Sequence, residues 1–487
     1  MPVKLALLID FGSTYTKVVA VDLDGDEIVA VAQSPTTIET SVMVGLRKAL
    51  NILKGKLGVE ELDSDVRLAC SSAAGGLRMV AIGLVTELTA EAAKRAALGA
   101  GAKLMRTFSY QLNRREIAAI EQIDPDIVLL AGGTNGGNQE VILHNARMLA
   151  VSVIDAPVVV AGNKEVADDV DDIFKEAGKI AYVTDNVMPD LENINVEPVR
   201  ELIRSIFMER IVHAKGIDKA NEFVHDIIMP TPMACLNAAK LLADGTEQEP
   251  GLGELILIEV GGATTNVHSI SRMDTLPGLI QKGLPEPYAK RTVEGDMGLR
   301  INAASILNVA GKERISAGAG VDKDAGVVEK AVQDLTADTS RVPASETDYR
   351  LDNALASAAV DIAVQRHAGE ILTVYTANGP ILVQYGKNLS DIKTIIGTGG
   401  VFAYGHDPRA ILEKALDTSD AKYTLRPRQA DFYVDETYIT YAMGLLSQRY
   451  PDTALRILKK YLKRVESREP GLVATVTGQT GSGTGET

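Results

Sequence analysis

Asp10, Gly12, Ser13, Thr14 and Lys17 fall within one stretch, Leu5-Ala-Leu-Leu-Ile-Asp-Phe-Gly-Ser-Thr-Tyr-Thr-Lys17. Together they suit a phosphate bound through a divalent cation. Gly12 lets backbone N–H groups approach a bulky anion, Ser13 and Thr14 add hydroxyl donors, and Lys17 adds charge. Asp10 would repel a bare phosphate but suits one carrying Mg²⁺, directly or through water. The design recurs in Leu255-Ile-Leu-Ile-Glu-Val-Gly-Gly-Ala-Thr-Thr-Asn-Val267, with Glu259, Gly261, Gly262, Thr264 and Thr265. Asp10 aligns with Glu259, Gly12 with Gly261, Thr16 with Thr265 and Val18 with Val267.

Each stretch opens on an apolar run that reads as a strand buried on both faces, then turns tightly into a second apolar run. Each is thus a hairpin that holds its acid and its glycine at the turn. An apolar strand running into glycines follows each copy, Ile127 to Thr134 and Thr394 to Gly400. The spacing predicts an internal duplication, two similar α/β halves facing a shared cleft. After the second hairpin, Glu294 and Asp296 in Arg291-Thr-Val-Glu-Gly-Asp296 could reach Mg²⁺ or position water. Asp296 could equally cap the next helix.

The pattern resembles the actin, hexokinase and heat-shock-chaperone ATPase superfamily. That resemblance implies two ribonuclease-H-like halves around a nucleotide cleft holding ATP or ADP and Mg²⁺. The hairpins would be its two phosphate loops. Gly397, Gly399 and Gly400 would let an adenosine ring lie flat on backbone, with Val401 and Phe402 as apolar cover. Together with Ala131-Gly-Gly-Thr-Asn-Gly-Gly-Asn138 and Arg291 to Asp296, the motifs resemble the glutamate mutase accessory family. The likeness runs to about residue 465. It implies Asp10, Glu259 and Glu294 as catalytic groups, Asp10, Glu259 and Asp296 as metal ligands, and an adenosylcobalamin-dependent mutase as partner. The chain departs from these patterns where Glu259 replaces an Asp, and where Asn135 and Asn266 stand for Asp. Slow hydrolysis, or binding without hydrolysis, follows as an expectation.

The domains expected are a first half over 1–250 with an inserted α/β segment at about 151–245, and a second half over 254–436. C-terminal helices over 437–465 and a disordered tail over 466–487 complete the chain. Gly478 to Gly485 in that tail superficially suggests a Walker loop, but it has no lysine and no preceding strand. The turn from Ser71 to Gly76 could line the cleft. Asp124-Pro-Asp126 and the cluster Asp168, Asp169, Asp171 and Asp172 read as a turn and a solvated helix face.

With 46% hydrophobic and 24% charged residues among 487, the chain belongs with well-packed proteins of two or three domains. A formal charge of −15 disfavours nucleic acid and anionic membranes. Cys70 and Cys235 support neither a disulfide framework nor a metal knuckle. Asp10 interrupts the apolar run too early for a signal peptide, and no run is long enough to span a membrane. A cytoplasmic protein is expected, and a homo-oligomer remains open.

Three functions fit these features. The first is a chaperone-like ATPase that reactivates a mutase by releasing damaged cobalamin. It would not hold the corrinoid itself, since no Asp-x-His-x-x-Gly motif is present. The second is a small-molecule kinase acting on a sugar or carboxylate, for which no clear acceptor base is found. The third is an actin-type filament. An iron–sulfur activator is disfavoured by the isolated cysteines.

Overall fold

The computed structural model describes residues 4–466, apart from 38–40, 73–77, 87, 101–102, 192, 215–222, 225, 273–274, 322–324 and 419–422. The tail beyond Glu466, and all but the first two residues of the Ser71 to Gly76 turn, therefore lie outside the described residues.

Strand Leu5–Phe11 has both faces buried, as its unbroken apolar run requires. It pairs antiparallel with Tyr15–Asp22, which pairs antiparallel with Glu27–Pro35. On its other side it runs parallel to Val66–Ser71, which in turn runs parallel to Asp226–Pro230. The second half repeats this strand for strand. Leu255–Val260 pairs antiparallel with Thr265–Ile270, and that strand with Ala289–Glu294. Thr394–Thr398 and then Asp431–Asp435 follow in parallel, with Leu462–Arg464 added at the edge. The shared order and sense make these two ribonuclease-H-like halves, the actin-like ATPase fold.

Two sequence expectations change. The strand equivalent to Thr394–Thr398 is Val66–Ser71, not Ile127–Leu130. Ile127–Leu130 lies in a separate, wholly parallel sheet, in the order Lys103–Ser109, Arg78–Gly83, Ile127–Leu130, Val158–Val160, Ala181–Val183. That unit therefore begins by Arg78, well before the expected 151. Glycine-rich strand ends occur wherever a parallel strand turns into a helix, so the glycines alone could not tell the two sheets apart. Numbered along the chain, its strands run 2-1-3-4-5, the doubly wound order of flavodoxin-like folds. Helices bury both faces: Thr89–Ala100 and Glu197–Ala214 on one, Arg114–Ile123, Glu140–Ala150 and Ala167–Glu176 on the other.

Helices Thr231–Asp244 and Thr440–Leu446 pack together between the halves. Their core includes Ala6 and Leu8 of one sheet and Leu255 and Leu257 of the other. Gly444 is required there, because a methyl in its place would overlap the Ala234 carbonyl. The expected C-terminal helices thus form part of the joint. A second link lies at the parallel unit. Arg95, on helix Thr89–Ala100, donates to the Leu284 carbonyl at 3.3 Å, to the Pro285 carbonyl, and to Glu286 Oε1 at 3.1 Å. Leu284 itself is buried in the core of the first half. No helix among the described residues is long and apolar enough to cross a membrane.

Candidate functional site

Both hairpin turns close in the same way. Gly12 N–H donates to the Tyr15 carbonyl at 3.1 Å, and Gly261 N–H donates to the Thr264 carbonyl at 2.9 Å. A side chain at Gly12 would run into that Tyr15 carbonyl. The second turn is further braced, as Leu299, Arg300 and Ile301 donate backbone N–H groups to the carbonyls of Gly261 and Gly262. The turns meet: a Cβ on Gly262 would sit 3.0 Å from Thr14 Cγ2.

Register places the chemistry. Asp10 lies opposite Lys17, and Glu259 lies opposite Asn266. Lys17 Nζ donates to Asp10 Oδ2 at 2.9 Å, and Asn266 Nδ2 donates to Glu259 Oε2 at 2.8 Å. All four line one hollow, with Gly12, Ser13, Thr14, Gly261, Gly262 and Thr264. Its empty volume, open mouth included, is about 740 Å³.

Burial works against the Lys17 charge, but Asp10, then Tyr438 and Tyr441, hold the ammonium well above its ordinary range. Burial raises the Glu259 carboxyl, opposed by the Asn266 hydrogen bond and by Lys17. Asn266 Oδ1 is buried and has no hydrogen-bond partner among the described residues.

Several expected site residues lie elsewhere. Thr265 is fully buried and its hydroxyl donates to the Met297 carbonyl at 2.7 Å, so it braces the second turn. On its Cβ side Gly397 is covered by the Phe402 ring. Gly399, at φ 113°, abuts the Val260 carbonyl just before Gly261, and Gly400 is open. Glu294 and Asp296, expected as a catalytic group and a metal ligand, both bind Arg366, at 2.7 Å and 2.8 Å. They are not among the residues lining the hollow. Arg366 comes from helix Glu346–His367, far along the chain. Asn135 sits at the parallel unit, where Oδ1 accepts from Lys164 N–H and Asn186 Nδ2. The acid pair Asp124 and Asp126 binds Arg78.

Other residues of the site went unread in the sequence. Thr231 Oγ1 donates to Asp10 Oδ1 at 2.7 Å. The Cys70 thiol lies 3.6 Å from that same oxygen, and the Cys235 thiol bonds Glu259. Burial pushes both thiols well above their ordinary range, so they act as weak donors rather than nucleophiles. Tyr438, at φ 57°, puts its ring 4.0 Å from Lys17 Nζ. Only a polar residue at a helix start, or a tyrosine near one, marks these positions in sequence.

A sequence profile described as MutL protein matches residues 6–462. Protein MutL of Clostridium tetanomorphum is 49% identical over 461 residues, 94% of this chain and 99% of that protein. Among solved structures, a nucleotide-free acetone carboxylase aligns at TM-score 0.44 and 14% identity, over 91% of this chain and 70% of that one. Gluconate kinase from Lactobacillus acidophilus aligns at TM-score 0.34 and 9% identity, over 95% and 93%. The sequence match, running through both hairpins and the unit between them, settles the family: the chain belongs to the MutL protein family.

Proposed function

We propose that this protein binds ATP and ADP with Mg²⁺ between its halves and hydrolyses ATP slowly. The resulting change in the angle between the halves acts on a partner enzyme, an adenosylcobalamin-dependent mutase such as glutamate mutase, and frees it of damaged cobalamin. The observation that carries the reading is the pair of equivalent turns, with Asp10 and Glu259 behind them, lining one hollow. Family membership, through the MutL name, supports the mutase as partner.

The residues fit a magnesium nucleotide. Two carboxylates and one ammonium face the hollow, a balance suited to phosphate only when a cation accompanies it. Asn266 Oδ1, buried without a donor, suits a water held by such a cation. When bound, the nucleotide supplies the phosphoryl group and its leaving group. The chain itself positions and neutralises, which suffices for phosphoryl chemistry without a covalent nucleophile. Gly12 and Gly261 spend their own N–H groups closing the turns. The N–H groups of Ser13, Thr14, Gly262 and Ala263 are therefore the ones offered to phosphate. Lys17 would offset anionic charge, Asp10 and Glu259 would hold the cation, and the backbone at Gly399 and Gly400 would carry adenosine. The methylene by which Glu259 exceeds Asp favours slow turnover.

Calorimetry with ADP and ATP, with and without Mg²⁺, tests the first half of this proposal. Mg²⁺-dependent binding is expected, and its absence would remove the nucleotide. The second half is tested by adding the protein and ATP to the cognate mutase after inactivation. Recovered activity is expected, and none would leave a nucleotide protein without this partner.

A further inference from the structure

The Asp10–Lys17 ion pair is gripped from both helices of the central joint. Thr231 is the first residue of helix Thr231–Asp244, and its hydroxyl reaches Asp10 Oδ1 at 2.7 Å. Tyr438 lies two residues before helix Thr440–Leu446, and its ring stands 4.0 Å from Lys17 Nζ. Tyr441, one residue inside that helix, adds a second ring at 5.4 Å. Each helix therefore sends a side chain from its N-terminal end onto one member of the pair. The two helices then meet where Gly444 abuts the Ala234 carbonyl, an approach with no slack for either to slide alone. Tyr438 also keeps a left-handed backbone, at φ 57°, which a tyrosine adopts only when its surroundings impose it.

The geometry points to Thr231 and Tyr438 as positioning residues that couple the occupant of the hollow to the helices joining the halves. The inference rests on the nucleotide reading above. An anion that draws Lys17 towards itself loosens two contacts at once. The ammonium leaves the Tyr438 ring, and Asp10 turns to its remaining donors, Thr231 and Cys70. The first change is felt by helix Thr440–Leu446 and the second by helix Thr231–Asp244. The helices hold the core shared by both sheets, so a shift in either changes the angle between the halves. Hydroxyl and ring play different parts. Thr231 needs only its oxygen, whereas Tyr438 needs a π face beside a cation.

The test uses the full chain with dyes on cysteines introduced at Ile52 and Tyr375, 45% and 83% exposed, one on each half. Cys70 and Cys235 are buried and remain unlabelled. ADP with Mg²⁺ is the probe. Wild type is expected to change its inter-dye distance on ADP binding. At ADP concentrations that calorimetry shows to saturate each variant, Thr231→Val and Tyr438→Leu should each lose at least half of that change. Thr231→Ser, which restores the hydroxyl, should recover it. A wild-type distance change in Thr231→Val would overturn the proposal. So would loss of the change in Thr231→Ser to the same degree, since that would assign the effect to packing. If wild type gives no heat with ADP, the nucleotide reading fails first, an outcome distinct from both.

Discussion

Asn266 stands against Glu259 in the register position that Lys17 holds against Asp10. The two halves thus present the same acid differently, one beside an ammonium at 2.9 Å and one beside an amide at 2.8 Å. Burial makes the carboxylate without the cation hard to keep ionised. The fold repeats, but the electrostatics of its two turns do not.

Glu259→Gln tests that difference. Burial raises this carboxyl above its ordinary value of 4.5, with Asn266 and Lys17 acting against the rise. The native state holds the proton where the unfolded chain has released it. Stability therefore falls as pH rises from about 4.5 through the folded value, and stays lowered above it. The variant is expected to melt higher than wild type at pH 7.5 and to show no gain at pH 4. Its Mg²⁺-dependent ADP binding should weaken at least tenfold, since it lacks the second carboxylate. Paired melting curves and calorimetry check both.

His268→Leu should stabilise the protein. His268 is fully buried, and neither ring nitrogen has a hydrogen-bond partner among the described residues. Removing those polar atoms should gain on the order of 1 kcal/mol at pH 7. Burial, and then Arg291, hold the imidazole well below its ordinary value. The unfolded chain takes up a proton below about pH 6.5 and the native state does not, so wild type loses stability as pH falls through that value. The gain should accordingly be larger at pH 5 than at pH 7 in urea unfolding.

Arg95→Met should loosen the link between the parallel unit and the second half. Both partners of its ion pair with Glu286 are nearly buried, with side chains 14% and 6% exposed. Breaking such a pair costs about 3 kcal/mol. Lys290, 3.3 Å from Glu286, offsets part of this. Scattering should report a larger radius of gyration than wild type, and an unchanged radius would show that the apolar contact of Leu284 suffices alone.

Two glycine substitutions should act in opposite directions. Gly444→Ala forces a methyl onto the Ala234 carbonyl and should cost about 2 to 3 kcal/mol. Gly55→Ala, within helix Val42–Leu57 with nothing near its Cβ position, should gain about 0.5 to 1 kcal/mol. Denaturant midpoints distinguish them.

The hairpins were legible in the sequence because everything that makes them is local: an apolar run, an acid, a glycine and a second run. Alignment of the two copies already set Lys17 opposite Asn266. The glycine-rich strand end at Gly397 to Gly400 was legible, but not that Phe402 folds back over Gly397 or that Gly399 abuts the Val260 carbonyl. Thr231 and Tyr438 were not legible. Each lies more than two hundred residues from the side chain it touches, and only the sheet order brings them together. The Arg366 partner of Glu294 and Asp296 was not legible either, since it comes from a helix some seventy residues further on. Strand Lys103–Ser109 went unread, as its polar residues break a clear alternation.

The neighbours Val66–Ser71 and Asp226–Pro230 are separated in the chain by the whole parallel unit. During synthesis the ribosome must deliver that unit before the last parallel strand of the first sheet exists. Until then Val66–Ser71 presents an open edge, the surface on which strands of other chains add. A unit whose own five strands pair with near neighbours can collapse early and bring Asp226 back to the waiting edge. The topology thereby allows the guest to form before its host can close around it.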